Sequence, residues 1–409
     1  MMNNRRLIAL LLIVAGGIGA GSYQFATAAQ KSPQPSPVAI PFEMVTRHIM
    51  IKVKINNSPP LWFILDTGDK VAIVDLARAR SLGLNLQGEV HVGGAGPGLL
   101  TGSTVRDASL SVVGLEGNTQ PVVMALPLDR LQPRFGHDID GIIGGDFIKQ
   151  FVVEIDYAAH VLRFYDKDKF TYAGSGESIP MRLNSGGHPI IDAEVTVMGR
   201  PAIKGKFVID IGSGGALALH APFVAQEHLP LADQKTIRAI GGGGTGGKVT
   251  GRMGRISELR IGKFQIADTP TLFSEDKGGA FASRELQGNI GGQILTKFKV
   301  FLDYARDRII LEPNASLRDL IAPASSGLRL IAEGADYRTF RVEELLEDSP
   351  AVEAGLQMGD LVLAVDGHPA SELTLSSLHE TFEKPGSHKL TVRRAEQTLQ
   401  ITLTPRRLF

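Results

Sequence analysis

Phe63-Ile64-Leu65-Asp66-Thr67-Gly68 is an apolar run that ends in an aspartate and a glycine, and its pattern occurs twice in the chain. The second copy is Phe207-Val208-Ile209-Asp210-Ile211-Gly212, which begins 144 residues after the first. The apolar residues are typical of a buried β-strand, and the glycine allows a tight turn beneath the carboxyl group. Each copy therefore predicts a strand that presents one aspartate at its end.

A second motif follows each copy, as Asp-Gly-Ile-Ile-Gly-Gly at 140–145 and Gln-Gly-Asn-Ile-Gly-Gly at 287–292. At a fixed offset of 147, residues 140–165 match residues 287–312 at nine of 26 positions. Because both motifs recur in the same order, the pattern indicates a duplicated lobe. We expect each lobe to bring one aspartate to a shared site.

Two neighbouring carboxyl groups have a chemistry that a single one lacks. When they lie about 3 Å apart they cannot both ionise, so they share one proton. The ionised member can take a proton from a bound water as a general base. The protonated member can donate to a substrate carbonyl oxygen and stabilise the charge that develops there. The duplicated motif thus predicts hydrolysis by a water that Asp66 and Asp210 activate.

In these motifs the chain resembles the aspartic peptidases, specifically the bacterial retropepsin-like group with two lobes in one chain. The resemblance covers roughly residues 41–313. It implies that Asp66 and Asp210 are catalytic and that two glycine-rich loops form flaps over the cleft. The implied supporting residues are Thr67, Gly68, Gly212, Ser213, Ile143, Gly144, Ile290 and Gly291. The implied flap residues are Gly93, Gly94, Gly96, Gly241, Gly242, Gly243 and Gly244.

Lobe 2 departs from the family pattern. Ile211 stands where a threonine or serine hydroxyl would hydrogen-bond across the lobe interface, and Asn289 replaces the first apolar residue of the supporting element. Ser213 is placed where family members often carry a hydroxyl that orients the aspartate, and lobe 1 has Asp69 there, a third acid that would favour protonation. These departures favour an alternative in which the fold is catalytically silent and the protein is a peptide-binding adaptor. A hydrolase of another class is a third alternative.

The glycine-rich run at 241–247, with Lys248, also resembles a phosphate-binding loop. It matches G-x-x-x-x-G-K, but Val249 occupies the position that requires Ser or Thr. It does not follow a strand that opens a βαβ unit. A mobile flap is the better interpretation, because glycine tolerates the backbone changes of a loop that opens and closes.

The composition excludes several other functions. The 43 Lys and Arg residues equal the 43 Asp and Glu residues, so a nucleic-acid partner is not expected. The chain has no cysteine, which rules out disulfides and thiolate nucleophiles. The ten histidines show no metal-binding spacing, so we predict no metal and no cofactor, and we expect His48 and His188 to be ordinary surface or turn residues.

The last 80 or so residues resemble a PDZ domain of the bacterial protease type, through Ser349-Pro350-Ala351, Gly359-Asp360 and Val365-Asp366-Gly367. The resemblance implies a loop that holds the C-terminal carboxylate of a peptide on backbone N–H groups. The implied peptide-binding residues are Gly327, Leu328, Arg329 and Leu330. Arg329 departs from the small residue usual in such loops, and the alternative is a domain that only packs against a lobe.

The sequence predicts a mostly β protein with two homologous acid-protease β-barrel lobes and a small α+β PDZ domain. It also predicts short helices at 76–82, around 222–228 and at 375–382. The predicted divisions are a signal peptide or N-terminal anchor at 1–28, a Pro/Ser linker at 29–40, lobe 1 at 41–172, lobe 2 at 173–313, a linker at 314–326 and the PDZ domain at 327–405. The export signal rests on Arg5 and Arg6, the apolar residues 7–20 and the small-residue site at 26–28.

Together these patterns predict an exported aspartic endopeptidase, periplasmic or anchored in the membrane facing the periplasm. The expected partners are a peptide or unfolded-protein substrate at the two aspartates and a C-terminal peptide at the PDZ domain.

Overall fold

The structure, a computed structural model, describes residues 36–115, 117–238 and 243–409. The predicted export signal at 1–28 lies outside these residues, as do most of the predicted linker at 29–40 and the predicted flap residues Gly241 and Gly242. Strands dominate the described chain, which confirms the predicted mostly β class. Among the described residues no helix has the length and apolar character needed to cross a membrane.

Lobe 1 is a mixed sheet flanked by short helices. Its strands are β1 Val38–Pro41, β2 Glu43–Val45, β3 His48–Ile55, β4 Leu61–Leu65, β5 Ile73–Asp75, β6 Asn85–Gly93, β7 Leu99–Arg106, β8 Ser109–Val112, β9 Gln120–Pro121, β10 Met124–Leu126, β11 Gly141–Ile143, β12 Phe151–Asp156 and β13 Val161–Asp166. Its helices are α1 Leu76–Ser81, α2 Gln132–Phe135 and α3 Gly145–Ile148. The strand order β6-β7-β10-β5-β11-β4-β3-β8-β9 places β4, which ends just before Asp66, inside the sheet.

Lobe 2 repeats this arrangement. Its strands are β14 Glu177–Leu183, β15 Pro189–Thr196, β16 Ile203–Ile209, β17 Leu217–Leu219, β18 Ile237–Arg238, β19 Gly243–Gly244, β20 Gly247–Lys248, β21 Gly251–Ile261, β22 Phe264–Ser274, β23 Gly288–Ile290, β24 Phe298–Asp303 and β25 Arg308–Pro313. Its helices are α4 Ala221–Gln226 and α5 Gly292–Leu295, with 3-10 turns at Ala280–Ala282, Tyr304–Arg306 and Ala315–Arg318. Strand β16, which ends just before Asp210, pairs in parallel with β23 as β4 does with β11.

A six-stranded layer joins the two lobes. The lobe 1 hairpin of β12 and β13 pairs edge to edge with the lobe 2 hairpin of β24 and β25, in the order β1-β13-β12-β24-β25-β14. The contact between lobes is the antiparallel pair β12–β24, with Val153 opposite Leu302. Strand β1 begins inside the predicted linker at 29–40. Its backbone pairs with β13 and so adds a strand to this layer. One apolar core continues through both lobes.

The C-terminal domain has its own core. Its strands are β26 Leu328–Glu333, β27 Thr339–Leu345, β28 Leu361–Val365, β29 His368–Pro369, β30 His388–Arg394 and β31 Gln397–Leu403, and its helices are α6 Pro350–Glu353 and α7 Leu375–Phe382, with a 3-10 turn at Ala370–Glu372. Strand β26 lies at one edge of the sheet order β26-β27-β28-β30-β31. Thr374 and Ser377 form a reciprocal capping box that begins α7.

The predicted linker at 314–326 is packed against lobe 2. The Lys297 ammonium donates to the backbone oxygens of Ser316 (2.8 Å) and Asp319 (2.7 Å), and Arg255 donates to that of Ile321. Ile321 is itself buried. These bonds fix the point at which the chain leaves lobe 2 for the C-terminal domain.

Candidate active site

Each aspartate is held at the end of its strand by the second motif of its own lobe. The backbone N–H of Asp66 donates to the Ile143 oxygen at 3.0 Å, and that of Asp210 donates to the Ile290 oxygen at the same distance. These bonds continue the parallel pairs β4–β11 and β16–β23 by one residue. The two motifs that define the sequence repeat therefore form one structural unit per lobe.

The glycines of the supporting motifs allow this close packing. A Cβ atom on Gly144 would lie 2.5 Å from the Asp69 backbone oxygen, and one on Gly291 would lie 2.5 Å from that of Gly215. Neither backbone oxygen can move without disturbing the catalytic loop. Glycine is therefore required at both positions for steric reasons.

The two carboxyl groups meet at the lobe interface. A Cβ atom placed on Gly68 would lie 3.0 Å from Oδ1 of Asp66 and 3.0 Å from Oδ1 of Asp210, so these oxygens are separated by no more than twice that distance. A Cβ atom on Gly212 would lie 2.0 Å from Cγ of Asp66, the aspartate of the other lobe. Each glycine thus leaves the space that one carboxyl group occupies.

Thr67 ties the lobes together beneath the aspartates. Its hydroxyl donates to the backbone oxygen of Ile209 at 2.6 Å and accepts from the backbone N–H of Ile211 at 3.0 Å. Thr67 is fully buried. Ile211 has no hydroxyl to make the symmetric pair of bonds, and its side chain instead packs into the apolar core. Of the two symmetric sets of cross-lobe hydrogen bonds that the resemblance implies, the set made by Thr67 is therefore present and the set expected at Ile211 is absent.

Asn289 contacts the site directly, a role that the sequence analysis missed. Its side-chain amide donates from Nδ2 to Oδ2 of Asp210 at 2.8 Å, and its Oδ1 lies 2.9 Å from Nε2 of His220. Among the described residues the Ser213 hydroxyl makes no hydrogen bond to Asp210, so Asn289 occupies the orienting role expected of that serine. The sequence held one sign of this role, since Asn289 is a polar residue inside an otherwise apolar strand motif.

Burial and like charges favour protonation of all three acids. Burial raises the pKa of Asp66 well above its usual range, and the charges of Asp210 and Asp69 raise it further. Burial also raises the pKa of Asp210, against the lowering effects of Asn289, His188 and nearby backbone N–H groups. Asp69 has its pKa raised to about 6 by burial and by the Asp210 charge. The site therefore holds fewer negative charges than carboxyl groups at mildly acidic pH.

His48 and His188, which were expected to be ordinary surface or turn residues, lie next to the loops that carry the aspartates. His48 lies next to the lobe 2 loop that follows Asp210, since a Cβ atom on Gly214 would be 2.8 Å from its Cε1. Burial lowers the pKa of His48 to about 4. His188 also has its pKa lowered by burial, while the charge of Asp210 and a bond to the Gly68 backbone oppose the shift. The two histidines are 140 residues apart in the sequence and lie at the start of equivalent strands of the two lobes. They are therefore a further part of the internal repeat.

The described parts of the two glycine-rich loops contact each other. The N–H of Gly98 donates to the Gly246 oxygen at 2.7 Å, and a Cβ atom on Gly94 would lie 1.9 Å from Oγ1 of Thr245. The lobe 1 loop connects β6 and β7, and the lobe 2 loop includes the short hairpin of β19 and β20. Gly93, Gly94, Gly96, Gly243 and Gly244 all belong to these two loops.

Comparison with known proteins agrees with this geometry. Residues 51–147, which include Asp66 and its supporting motif, match the family model described as aspartyl protease. Residues 341–394 match the one described as PDZ domain. The chain contains an aspartyl protease domain and a PDZ domain. Asp210 lies beyond the matched range, and lobe 2 shares with the matched lobe the internal repeat of the two motifs.

A short stretch of the chain is also similar to a curated protein. Over 67 residues it is 31% identical to "Serine protease HTRA1" of Xenopus laevis. The alignment covers 16% of this chain and 14% of that protein, far less than two thirds of its length. The alignment therefore gives no ground for assigning the serine protease activity of that protein to this chain.

The PDZ domain has a cavity of about 100 Å³ between its edge strand and helix α7. Leu328 and Leu330 line the cavity together with His379 and Phe382. Arg329 points away, toward Glu343 (2.8 Å) and Glu344 (3.5 Å), because neighbouring residues of a strand face opposite sides. Of the predicted peptide-binding residues, Leu328 and Leu330 line the cavity, whereas Gly327 and Arg329 do not.

Lobe 1 contacts this groove at both ends, near Leu375 at one end and at Glu383, which also lines the cavity, at the other. A Cβ atom on Gly136, just after α2, would lie 3.0 Å from Cβ of Leu375 and 3.2 Å from Cβ of Ala332. The Arg47 guanidinium forms an ion pair with Glu383 at the end of α7. The PDZ domain therefore contacts the lobe that carries Asp66 through the same elements that border its cavity.

No metal-binding cluster of three or more His, Asp or Glu side chains occurs in the part of the chain that the structure describes.

Proposed function

We propose that this protein is an exported aspartic endopeptidase, in which Asp66 and Asp210 activate a water that attacks the peptide bond. The observation that carries the proposal is the convergence of the two carboxyl groups on Gly68, one from each lobe. The ionised carboxylate would accept a proton from water, and the protonated one would donate to the substrate carbonyl oxygen.

The electrostatics of the site support this assignment. Burial raises the pKa of both aspartates, and their mutual repulsion favours the singly protonated pair that the mechanism requires. Paired carboxyl groups titrate as a unit, so the pH–rate profile reports two apparent pKa values of the pair.

The substrate would be a peptide or an unfolded protein, with the PDZ domain binding peptide ends at the Leu328–Leu330 side of its groove. The family match to a PDZ domain and the cavity beside α7 support this part of the proposal. Export rests on the N-terminal sequence, which gives either a cleaved signal or an anchor facing the periplasm.

The test is cleavage of an unfolded protein and of peptide libraries by the full chain between pH 3 and 8. Asp66→Asn and Asp210→Asn should each abolish cleavage. Asp192→Asn is the matched control, because Asp192 is an exposed strand carboxylate of lobe 2 paired with Arg182, and it should cleave like wild type. Cleavage that survives either active-site change would refute the two-carboxylate mechanism.

A silent adaptor is the second candidate, and the replacement of the lobe 2 hydroxyl by Ile211 favours it. It predicts no cleavage by wild type at any pH, together with peptide binding that Leu328→Asp or Leu330→Asp abolishes.

A further inference from the structure

Asn289 breaks the symmetry of the two supporting motifs. In lobe 1 the equivalent residue is Ile142, whose side chain is apolar and buried opposite Ile64. In lobe 2 the same strand position opposite Val208 carries an amide that reaches Oδ2 of Asp210. One aspartate of the pair thus has a side-chain hydrogen-bond donor from its own supporting strand, while the other has an apolar neighbour there.

The orientation of this amide is fixed by His220. His220 lies at the N-terminal end of α4, is 1% exposed and stacks near the ring of Phe281. Its Nε2 lies 2.9 Å from Oδ1 of Asn289, an oxygen that can only accept, so Nε2 must carry the proton. With its oxygen held in this way, the amide can only present Nδ2 to Asp210.

The direction of the bond favours one location of the shared proton. An amide nitrogen donates only, so Oδ2 of Asp210 accepts, and a bond donated to a carboxyl group favours its ionised form. Asp66 accepts a bond of its own at Oδ1, from the N–H of Gly68 at 2.6 Å. The extra donor on Asp210 is the feature that has no counterpart on Asp66 among the described residues.

We infer that Asn289, held by His220, is a positioning residue that keeps Asp210 as the ionised, proton-accepting member of the pair and leaves the shared proton on Asp66. This inference rests on the proposed peptidase function and assigns separate roles to the two aspartates. Asp210 is then the general base toward water, and Asp66 is the acid toward the substrate carbonyl.

Other ionisable groups also act on Asp210. Asp66 and Asp69 are coupled to it electrostatically from the lobe 1 loop, and His188 interacts with it from the turn before β15. Burial lowers the pKa of His220, which favours its neutral form, and the side chain acts on Asn289 through its hydrogen bond. Any test must therefore separate the Asn289 effect from these charges, which a substitution of Asn289 leaves in place.

Asn289→Leu is the direct test, because it removes the donor at similar volume without adding charge. We expect the acidic limb of the kcat/KM profile to move upward by about one pH unit, with a roughly tenfold loss at pH 4 and little change at pH 6. Ile142→Leu, an apolar exchange at the equivalent lobe 1 position, is the control for repacking of the supporting strand and should not move the acidic limb, whatever its effect on the absolute rate. His220→Leu should shift the limb in the same direction, and His220→Gln, which keeps a donor toward Oδ1, should largely restore it.

Carbon-13 NMR titration of the aspartate carboxyl groups gives a readout that does not need activity. The Asp210 signal, assigned by its loss in Asp210→Asn, should titrate at higher pH in folded Asn289→Leu than in wild type. An unchanged Asp210 titration, or equal shifts in Asn289→Leu and Ile142→Leu, would overturn the inference. If wild type cleaves nothing, the proposed function fails, while the titration still decides whether Asn289 biases the pair.

Discussion

Thr67 forms the hydrogen bonds across the lobe interface that Ile211 cannot duplicate. Its hydroxyl serves one donor and one acceptor of the lobe 2 backbone, and both lie in a buried interface. Because the symmetric bonds are absent, the positions of the aspartates depend more heavily on this single side chain. A change at Thr67 should therefore affect stability and activity together.

For Thr67→Val we expect a loss of roughly 1–3 kcal/mol in the free energy of unfolding, because a buried carbonyl and a buried N–H lose their partner. Denaturant unfolding monitored by circular dichroism measures this loss. Thr67→Ser keeps the hydroxyl and should retain most of the stability. Equal losses in the two variants would show that the methyl group, and not the hydrogen bonds, stabilises the interface.

Asp69 makes the free energy of unfolding depend on pH, and its effect is to lower stability as the pH rises. Its pKa is raised from 3.8 to about 6 in the folded state, so between these values the unfolded chain ionises while the folded chain keeps its proton. The folded state is thus progressively destabilised as the pH rises through this window, and the penalty is constant above it. Asp69→Asn should raise the melting temperature at pH 7 and leave it nearly unchanged at pH 3. A constant difference across pH 3–7 would contradict this account.

At the scale of elements, local sequence signals located three of the helices to within two residues. Residues 375–382 were predicted as a helix and form α7 Leu375–Phe382, since Thr374 and Ser377 cap its start. The helix predicted at 76–82 ends one residue early as α1 Leu76–Ser81, with the Asp75 side chain capping its first turn. The segment predicted around 222–228 begins one residue earlier, as α4 Ala221–Gln226. Caps and proline positions are local features, so they can be read from a few residues.

The two glycine-rich loops contact each other through backbone atoms, so the effect of a mutation there can be predicted from these contacts. A Cβ atom on Gly96, whose φ is +93°, would lie 2.7 Å from the backbone oxygens of Gly246 and Gly247. Gly96→Ala should separate the loops and speed hydrogen exchange of the Gly98 N–H, which donates to Gly246. Gly88→Ala is the control, because Gly88 also has positive φ (+59°) but no atom within 4 Å of the added Cβ. Unaltered exchange in Gly96→Ala would mean that this contact does not hold the loops together.

On the scale of the whole molecule, the PDZ domain is fixed to both lobes. Its helix α7 contacts lobe 1 through the Arg47–Glu383 ion pair and the Ser376 hydroxyl, which accepts from the Thr46 N–H at 2.8 Å. Arg407, which follows the last strand of the PDZ domain, forms an ion pair with Asp268 of lobe 2. Lobe 1 therefore contacts both ends of the peptide groove, and Glu383, the partner of Arg47, also lines the cavity beside Leu328 and Leu330.

Gly136→Leu should loosen this docking, since its side chain would meet Leu375 and Ala332. Gly83→Leu is the matched control: Gly83 has φ +65° against +64° for Gly136, but nothing within 4 Å of an added Cβ. Both variants should lose roughly 1–3 kcal/mol of stability to backbone strain. Spin labels on Arg130→Cys and Ser371→Cys, in a chain that has no native cysteine, should give a broader distance distribution only in Gly136→Leu. Identical distributions in the two variants would show that Gly136 does not set the docking.

The sequence alone determined the duplicated strand–Asp–Gly pattern, the mostly β class and the PDZ-like end, because each is recorded in short motifs and their spacing. Tertiary packing brings the Asn289 amide, and not the Ser213 hydroxyl, into a hydrogen bond with Asp210, and it places His48 and His188 beside the site. It also decided that lobe 1 covers part of the PDZ groove. These contacts join residues that are tens to hundreds of positions apart, and their existence depends on how two lobes and a third domain pack, which no local pattern encodes.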